Sequence, residues 1–507
     1  MRQNPKVALL HRKTFIALAL GLSVGGEVGC HRQRVADFDV VYAADQIGYL
    51  APCGCSQHQL GGAARASQLL QGIADGGPAL FVEGGNFLFD DLKLAPDKQP
   101  QAREKAVALL KSWQTGLAGM RATAWATGPF DDSLGADFRQ STLAGEPLLQ
   151  TPRLVELDGV KVGLVNLAGA DPEAVQGLRR KGARLVLAVA HGTLAEAGEW
   201  AEKSDVDLVL QSGVADPDLD TDEAARVRGG VPVFRVKDKG RGILVLRVHV
   251  PKGAGPGLAV LESADAHAGQ AADIDATIAS YRARLKVADP SLRKVLEQMI
   301  PELEQRRQAL LAPPPAPPSD KPSVAYRFVD LTDALPESKP AAAIFKEYTQ
   351  EVARNNLAAQ AGKVCPAVAP GQMHFTGAAE CEACHAEAYK VYAHTKHVGA
   401  YQTLKGAERQ YDLDCISCHV VGFGKPGGVC RLDQVGPLGG VQCESCHGMG
   451  SEHAESGGAT PVPNPKPGYD TCFSCHDAKN DTGFNRERYV SHYLPEILGP
   501  GHGKPLK

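Results

Sequence analysis

A chain of 507 residues has room for two or three domains, each with its own core. Its formal charge of −4 and the lack of any basic run argue against a nucleic-acid partner. Beyond the N-terminus no apolar run approaches the roughly 20 residues that a membrane-spanning helix needs.

Residues 1–30 read as an export signal. Lys6, His11, Arg12 and Lys13 supply a positive start, and residues 14–26 a short apolar stretch. The segment ends at Val28-Gly29-Cys30, which resembles the lipobox of bacterial lipoproteins, although Glu27 stands where that pattern prefers Leu. Lipidation at Cys30, giving a membrane tether, and simple cleavage both stay open. Either places the mature chain in the periplasm or on the outer face of a bacterial membrane, where thiols oxidise.

From about residue 38 to 252 apolar strands alternate with helical segments, the pattern of an α/β domain. Strands are predicted at 40–43, 79–83, 122–126, 184–190, 207–210, 231–236 and 243–250. Residues 154–157 and 160–167 form a hairpin about the Asp158-Gly159 turn. Helices are predicted at 62–73, 102–117 and 194–203. A helical segment over 270–312 divides at Asp289-Pro290, where Asp caps and Pro begins the second piece. Residues 313–323 are a proline-rich linker, and a strand (324–329) and helix (341–359) within 324–361 are a connector that could pack back on either neighbour.

The tail, 362–507, carries Cys-x-x-Cys-His four times. The attachment cysteines are Cys381 and Cys384, Cys415 and Cys418, Cys443 and Cys446, Cys472 and Cys475; each second cysteine is followed by His385, His419, His447 or His476. Two thiols that can add to porphyrin vinyl groups, followed by an axial imidazole, are the signature of covalent haem c. Zinc does not require a histidine after every Cys-x-x-Cys, and disulfides require none. Apolar residues are sparse here, so four covalently bound haems must form the core, close enough for electrons to hop between them.

Two family resemblances follow from longer stretches. "DVVYAADQIGYLAPCGCSQHQLGGAARASQLL" resembles the opening of the periplasmic 5′-nucleotidase branch of the calcineurin-like metallophosphoesterases. "PALFVEGGNFL", "LVLAVAHG" and "LVLQSGVADP" are similar to later strands of that family. The resemblance implies a four-layer α/β sandwich with two metal ions at the strand ends. Of its ligands only Asp45 and His191 remain, with Asn86 in place of the bridging aspartate. Ile47, Gly213 and Ala215 replace histidines, and the 128–131 turn replaces Gly-Asn-His-Glu. Phosphoester hydrolysis is therefore expected to be lost. Cys53 and Cys55 stand in the first strand-to-helix loop, near His58. They admit a disulfide, a redox pair or a thiolate-bound metal such as copper or zinc.

"CEACHAEAYKVYAHTKHVGAY", "CISCHVVGFGKPGG" and "GGVQCESCHGMGSEH" resemble the tetrahaem cytochrome c family that accepts electrons in bacterial hydroxylamine oxidation. The resemblance implies distal iron ligands at His397 and His453, with His492 a third candidate, and an open haem on Cys415 and Cys418. His374, His394 and His502 compete for that position, and Cys365 and Cys430 could pair. The expected whole is multidomain: a metallophosphoesterase-like α/β four-layer sandwich, a helical linker, then a mainly α, loop-rich multihaem cytochrome c domain. Its function is electron transfer with other redox proteins or quinol-linked donors. The alternatives are an oxidoreductase acting on a small nitrogen or sulfur species, and a working phosphoesterase with an electron-transfer appendage.

Overall fold

The computed structural model describes residues 35–52, 59–167, 172–213, 223–226, 230–286, 290–312 and 316–477. The export signal with Cys30, the Cys53–Cys55 loop with His58, Ala215, His492 and His502 lie outside the described residues.

Two six-stranded sheets make the centre of the front half. In the first, β1 (Ala36–Ala43) runs parallel to β2 (Ala79–Glu83), and β2 parallel to β3 (Ala122–Trp125). On its other side β1 meets β10 (Gly242–Val250) antiparallel. The second sheet runs β4 (Arg153–Leu157), β5 (Val160–Asn166), β6 (Leu185–His191), β7 (Leu208–Ser212), β9 (Pro232–Arg235) and β8 (Glu223–Arg226). The predicted hairpin is β4–β5, with Asp158 and Gly159 both at positive φ (47° and 78°), as a tight primed turn requires.

Strand side chains alternate between two buried faces, which is why the strands read as nearly continuous apolar runs. On β1, Phe38, Val40 and Tyr42 point between the sheets, while Val41 and Ala43 face helices. Those helices are α1 (Ala63–Gly76) and α2 (Gln99–Leu117). On β6, Leu185, Leu187 and Val189 point between the sheets; Val186, Ala188 and Ala190 face α4 (Pro172–Arg180) and α5 (Leu194–Ser204). Three apolar cores thus separate four layers, helix–sheet–sheet–helix, as expected. Thr193 caps α5 reciprocally with Glu196, placing that helix start where the sequence predicts it.

The 324–361 segment is not a connector. Its strand, β12 (Ser323–Asp330), pairs antiparallel along the whole of β10, and β11 (Ala259–Glu262) adds beyond it. Its helix, α8 (Lys339–Ala359), packs Ile344, Phe345, Tyr348 and Val352 into the core beneath α1 and α2. The exposed edge of β10 needs hydrogen-bond partners, and the segment supplies them, so the sandwich extends to about residue 359. Between β11 and β12, α6 (Ala264–Leu285) and α7 (Pro290–Leu310) form a helical hairpin around Ile274, Ile278 and Ile300. Pro290 opens the second helix as predicted, while the first begins at Ala264, ahead of the expected boundary.

The tail is built of short helices: α9 (Ala378–Glu382), α10 (Ala386–Ala393), α11 (Ala400–Gly406), α12 (Leu413–His419), α13 (Cys443–His447), α14 (Ser451–Glu455) and α15 (Tyr469–Phe473). Its apolar cluster of buried residues is small: Leu404, Ile416, Val420, Val429, Leu432 and Val435. Cys365 and Cys430 form a disulfide across 65 residues. Among the described residues no helix is long and apolar enough to cross a membrane.

Candidate functional site

The sheet ends of the front half converge on a buried polar pocket. Asp45 follows β1, Asn86 follows β2, and His191 ends β6. Asp45 and Asn86 both take left-handed backbone (φ 53° and 57°), a conformation that Asp and Asn tolerate and that clusters at functional sites. Ile47, at the position where the family resemblance expects histidine, keeps positive φ (38°) despite its branched side chain.

Asp45, Asn86 and Asp131 are tied into one hydrogen-bond network, while His191 Nε2 and Glu83 Oε2 are buried with no hydrogen-bond partner. Asn86 Nδ2 donates to Asp45 Oδ1 at 2.8 Å, and the Gly213 N–H donates to Oδ2 at 2.9 Å. Asn86 Oδ1 accepts from the Phe130 N–H at 3.2 Å. Asp131, in the turn after β3, accepts backbone N–H bonds from Asn86, Phe87, Leu88 and Gly128 at 2.7–3.0 Å. His191 Nδ1 meets Ser212 Oγ, while its Nε2 lies against the backbone at Gly128. A Cβ on Gly128 would fall 2.3 Å from that nitrogen and 2.1 Å from Asn86 Oδ1, so only glycine fits there.

Burial dominates the electrostatics. It pushes Asp45 up to about 7, against the bonds from Asn86 and Gly213 that favour its ionised form. Burial likewise raises Asp131 and takes Glu83 well above the usual carboxylate range, with the Asp131 charge adding to the latter. It lowers His191. The described donors do not fit the two-ion site of the resemblance. Both Asp45 oxygens are engaged by protein N–H groups, and no group of three or more His, Cys, Asp or Glu among the described residues could hold a metal. Glu83 and Tyr42, both buried here, escaped the sequence reasoning. The signal was present in a carboxylate closing the apolar run Ala-Leu-Phe-Val-Glu.

The tail brings together most of what its motifs predict. The eight attachment cysteines are free thiols on or beside the short helices. Cys381 of the first motif contacts Cys443 of the third, and Cys418 of the second contacts Cys475 of the fourth, so the motifs adjoin in two pairs. Glu444 stitches the first pair. Its buried carboxylate accepts from the N–H groups of Thr376, Gly377 and Gly450 at 2.7–3.1 Å.

The imidazoles pair as well. The rings of His385 and His453 have centroids 5.9 Å apart, and those of His397 and His476 6.2 Å apart. Two imidazoles on opposite sides of one metal ion, each nitrogen about 2 Å from it, put their ring centres roughly 6 Å apart. Tautomers agree with this. Nδ1 of His419, His447 and His453 donates to the carbonyls of Ala400, Asn464 and Thr460 at 2.6–3.0 Å, the tautomer that carries the lone pair on Nε2. The donor set therefore fits haem: vicinal thiols for attachment beside imidazoles in the tautomer that ligates through Nε2. His374 and His394 donate from Nδ1 to nearby carbonyls of Gln372 and Lys390. Ring contacts among the described residues include none to His419.

Residues 380–448 match the family model of cytochrome c554 and c-prime. The cytochrome c-554 of Nitrosomonas europaea is 34% identical over 104 residues, 17% of this chain. The chain spans less than half of that relative's length (44%). The tail is thus a c-type cytochrome region, with covalently bound haem c implied. Similar solved structures include a 5′-nucleotidase precursor from Thermus thermophilus (14% identity, TM-score 0.34, 62% of this chain and 59% of that one). A sulfate thiohydrolase SoxB from Thermus thermophilus is 14% identical with TM-score 0.39, over 64% of this chain and 62% of that one. The calcineurin-like phosphoesterase YfkN from Bacillus subtilis is 15% identical with TM-score 0.33, over 43% of this chain and 86% of that one. These are distant fold likenesses and carry no functional argument.

Proposed function

We propose that the chain is an exported electron-transfer protein with four covalent haems, its front half a sandwich that has lost phosphoester hydrolysis. The observation that carries this is the pairing of His385 with His453 and of His397 with His476, beside thiols of Cys-x-x-Cys-His motifs. The thiols of the four Cys-x-x-Cys-His motifs would hold the haems as thioethers, a bond whose formation from a thiol and a vinyl group needs no oxidant. Haem iron, when bound, supplies a one-electron couple between its ferrous and ferric states. The chain's part is to hold imidazoles on both sides, which favours electron transfer over substrate binding. The closeness of the motifs would place bound haems near enough to one another to exchange electrons.

Loss of hydrolysis rests on the engaged oxygens of Asp45 and on Asn86, whose amide donates where a carboxylate would ligate. Export and the choice between a membrane tether at Cys30 and a soluble periplasmic form belong to the same proposal. So do its partners, other redox proteins or quinol-linked donors. The function of Cys53 and Cys55, as a disulfide, a redox pair or a thiolate metal site, is to be decided by labelling with and without reductant.

An optical and spin-resonance spectrum of the purified exported protein is the test. Four haems per chain are expected, and His453→Ala should convert one of them, that on Cys381 and Cys384, from low to high spin. A preparation matured with intact cytochrome assembly but lacking a Soret band sinks the proposal. A second reading is an oxidoreductase at an open haem on Cys415 and Cys418, the position that the family resemblance implies is open. It predicts one high-spin haem in the unmodified protein that responds to nitric oxide or hydroxylamine; four low-spin haems rule it out.

A further inference from the structure

The second haem motif is built directly onto the front half. Its helix, α12, carries Cys415, Cys418 and His419, and Asp412 caps its start by accepting the Asp414 N–H at 3.0 Å. The Asp412 carboxylate is buried (4% exposed) and held from two sides. Arg409 donates to Oδ2 at 2.7 and 3.2 Å, and Gln101 of α2 donates to Oδ1 at 2.8 Å. Asn356 of α8 donates both to Gln101 Oε1 at 3.3 Å and to the Tyr411 carbonyl at 2.9 Å. Farther along, the Leu432 N–H donates to Gln360 Oε1 at 2.9 Å, and Leu357 of α8 packs on the apolar cluster containing Ile416. At the outer edge Lys98 and Lys105 each stand 3.9 Å from Asp414, beside a cavity of 160 Å³.

We infer that the α2–α8 face of the front half is a positioning platform for the second haem, with Gln101 and Asn356 fixing the Asp412 cap of α12 and setting that haem's reduction potential apart from the other three. This rests on the haem assignment proposed above. Gln101 acts through Asp412, not on the haem. Its amide offsets part of the carboxylate charge, and a less compensated negative charge beside a haem favours the ferric form. The lost phosphoesterase scaffold thereby keeps a use as the mount of one redox centre.

The test is a potentiometric titration of the full-length holoprotein, following each haem by optical and spin-resonance signals. A Cys418→Ser variant, with a single thioether, marks the second haem by its displaced α-band. Gln101→Leu should lower the midpoint potential of that haem alone, and Gln101→Lys should raise it, the other three staying in place. If Gln101→Leu fails to assemble, Lys98→Glu on the exposed rim is read in its stead, with a downward shift expected. No shift, shifts of all four haems together, or the same direction for Gln101→Leu and Gln101→Lys would overturn the inference while leaving the haem assignment intact. Absence of haem from every form would instead fail the assignment.

Discussion

Asp45 carries a charge problem that the surrounding residues only half solve. Its carboxyl is wholly buried, yet it accepts two N–H bonds that favour ionisation, and burial wins by holding it up to about 7. A folded-state value raised above the unfolded one means that the folded chain binds the proton more tightly. This contribution to stability is complete below about pH 4, the unfolded range, and is lost as pH rises towards 7. Asp45→Asn should abolish that slope in denaturant unfolding measured across the window. The variant should also lose about 1–3 kcal/mol, because its amide would set an N–H against the Gly213 N–H. Sequence alone places Ile47, Asn86 and Gly213 at positions where the resemblance expects metal ligands, because the neighbouring motifs mark those positions out. It could not show which groups Asp45 bonds to. Asn86 and Gly213 reach Asp45 across 41 and 168 positions, and hydrogen bonds at that range depend on the finished fold.

At the level of elements, most strands and long helices were legible because their period is strong and their caps are conventional, as with Thr193 and Pro290. The strand at β12 was legible but its place was not, because a sheet strand and a connector look alike until the partner strand is known. Short tail helices fared differently. They have too few apolar residues to show a period, and polar side chains rather than propensity fix their places. Glu444 on α13 is the clearest case, bridging to the backbone that leads into α9. Glu444→Gln leaves only one acceptor oxygen for donors on both sides, so the link should weaken by about 1.5–3 kcal/mol. The first and third motifs should then load haem poorly, read as a fall in haem per chain after maturation. Glu452→Gln, on the exposed face of neighbouring α14, should leave the ratio unchanged.

For the whole molecule the contrast lies between a front half with three apolar cores and a tail with one small cluster. The tail's described ordering relies on polar bridges, on its seat against α2 and α8, and on the Cys365–Cys430 disulfide. In the chain-entropy account, closing a 65-residue loop is worth roughly 4 kcal/mol. That is of the order of a whole small core, so Cys365→Ala with Cys430→Ala should expose the tail to protease while sparing the sandwich. The same imbalance governs a haem-free chain, made by replacing all eight attachment cysteines with alanine. Without porphyrins the tail buries too little apolar surface to offset its conformational entropy and should unfold, as metal-dependent domains do without their metal. The front half should survive, because β12 completes its first sheet and α8 closes its first core. Limited proteolysis should therefore leave a fragment ending near residue 360, retaining far-ultraviolet circular dichroism of mixed α/β character. A stable product ending near 252 would show that β12 and α8 are dispensable to the sandwich, and a resistant tail would show that haem is not its core.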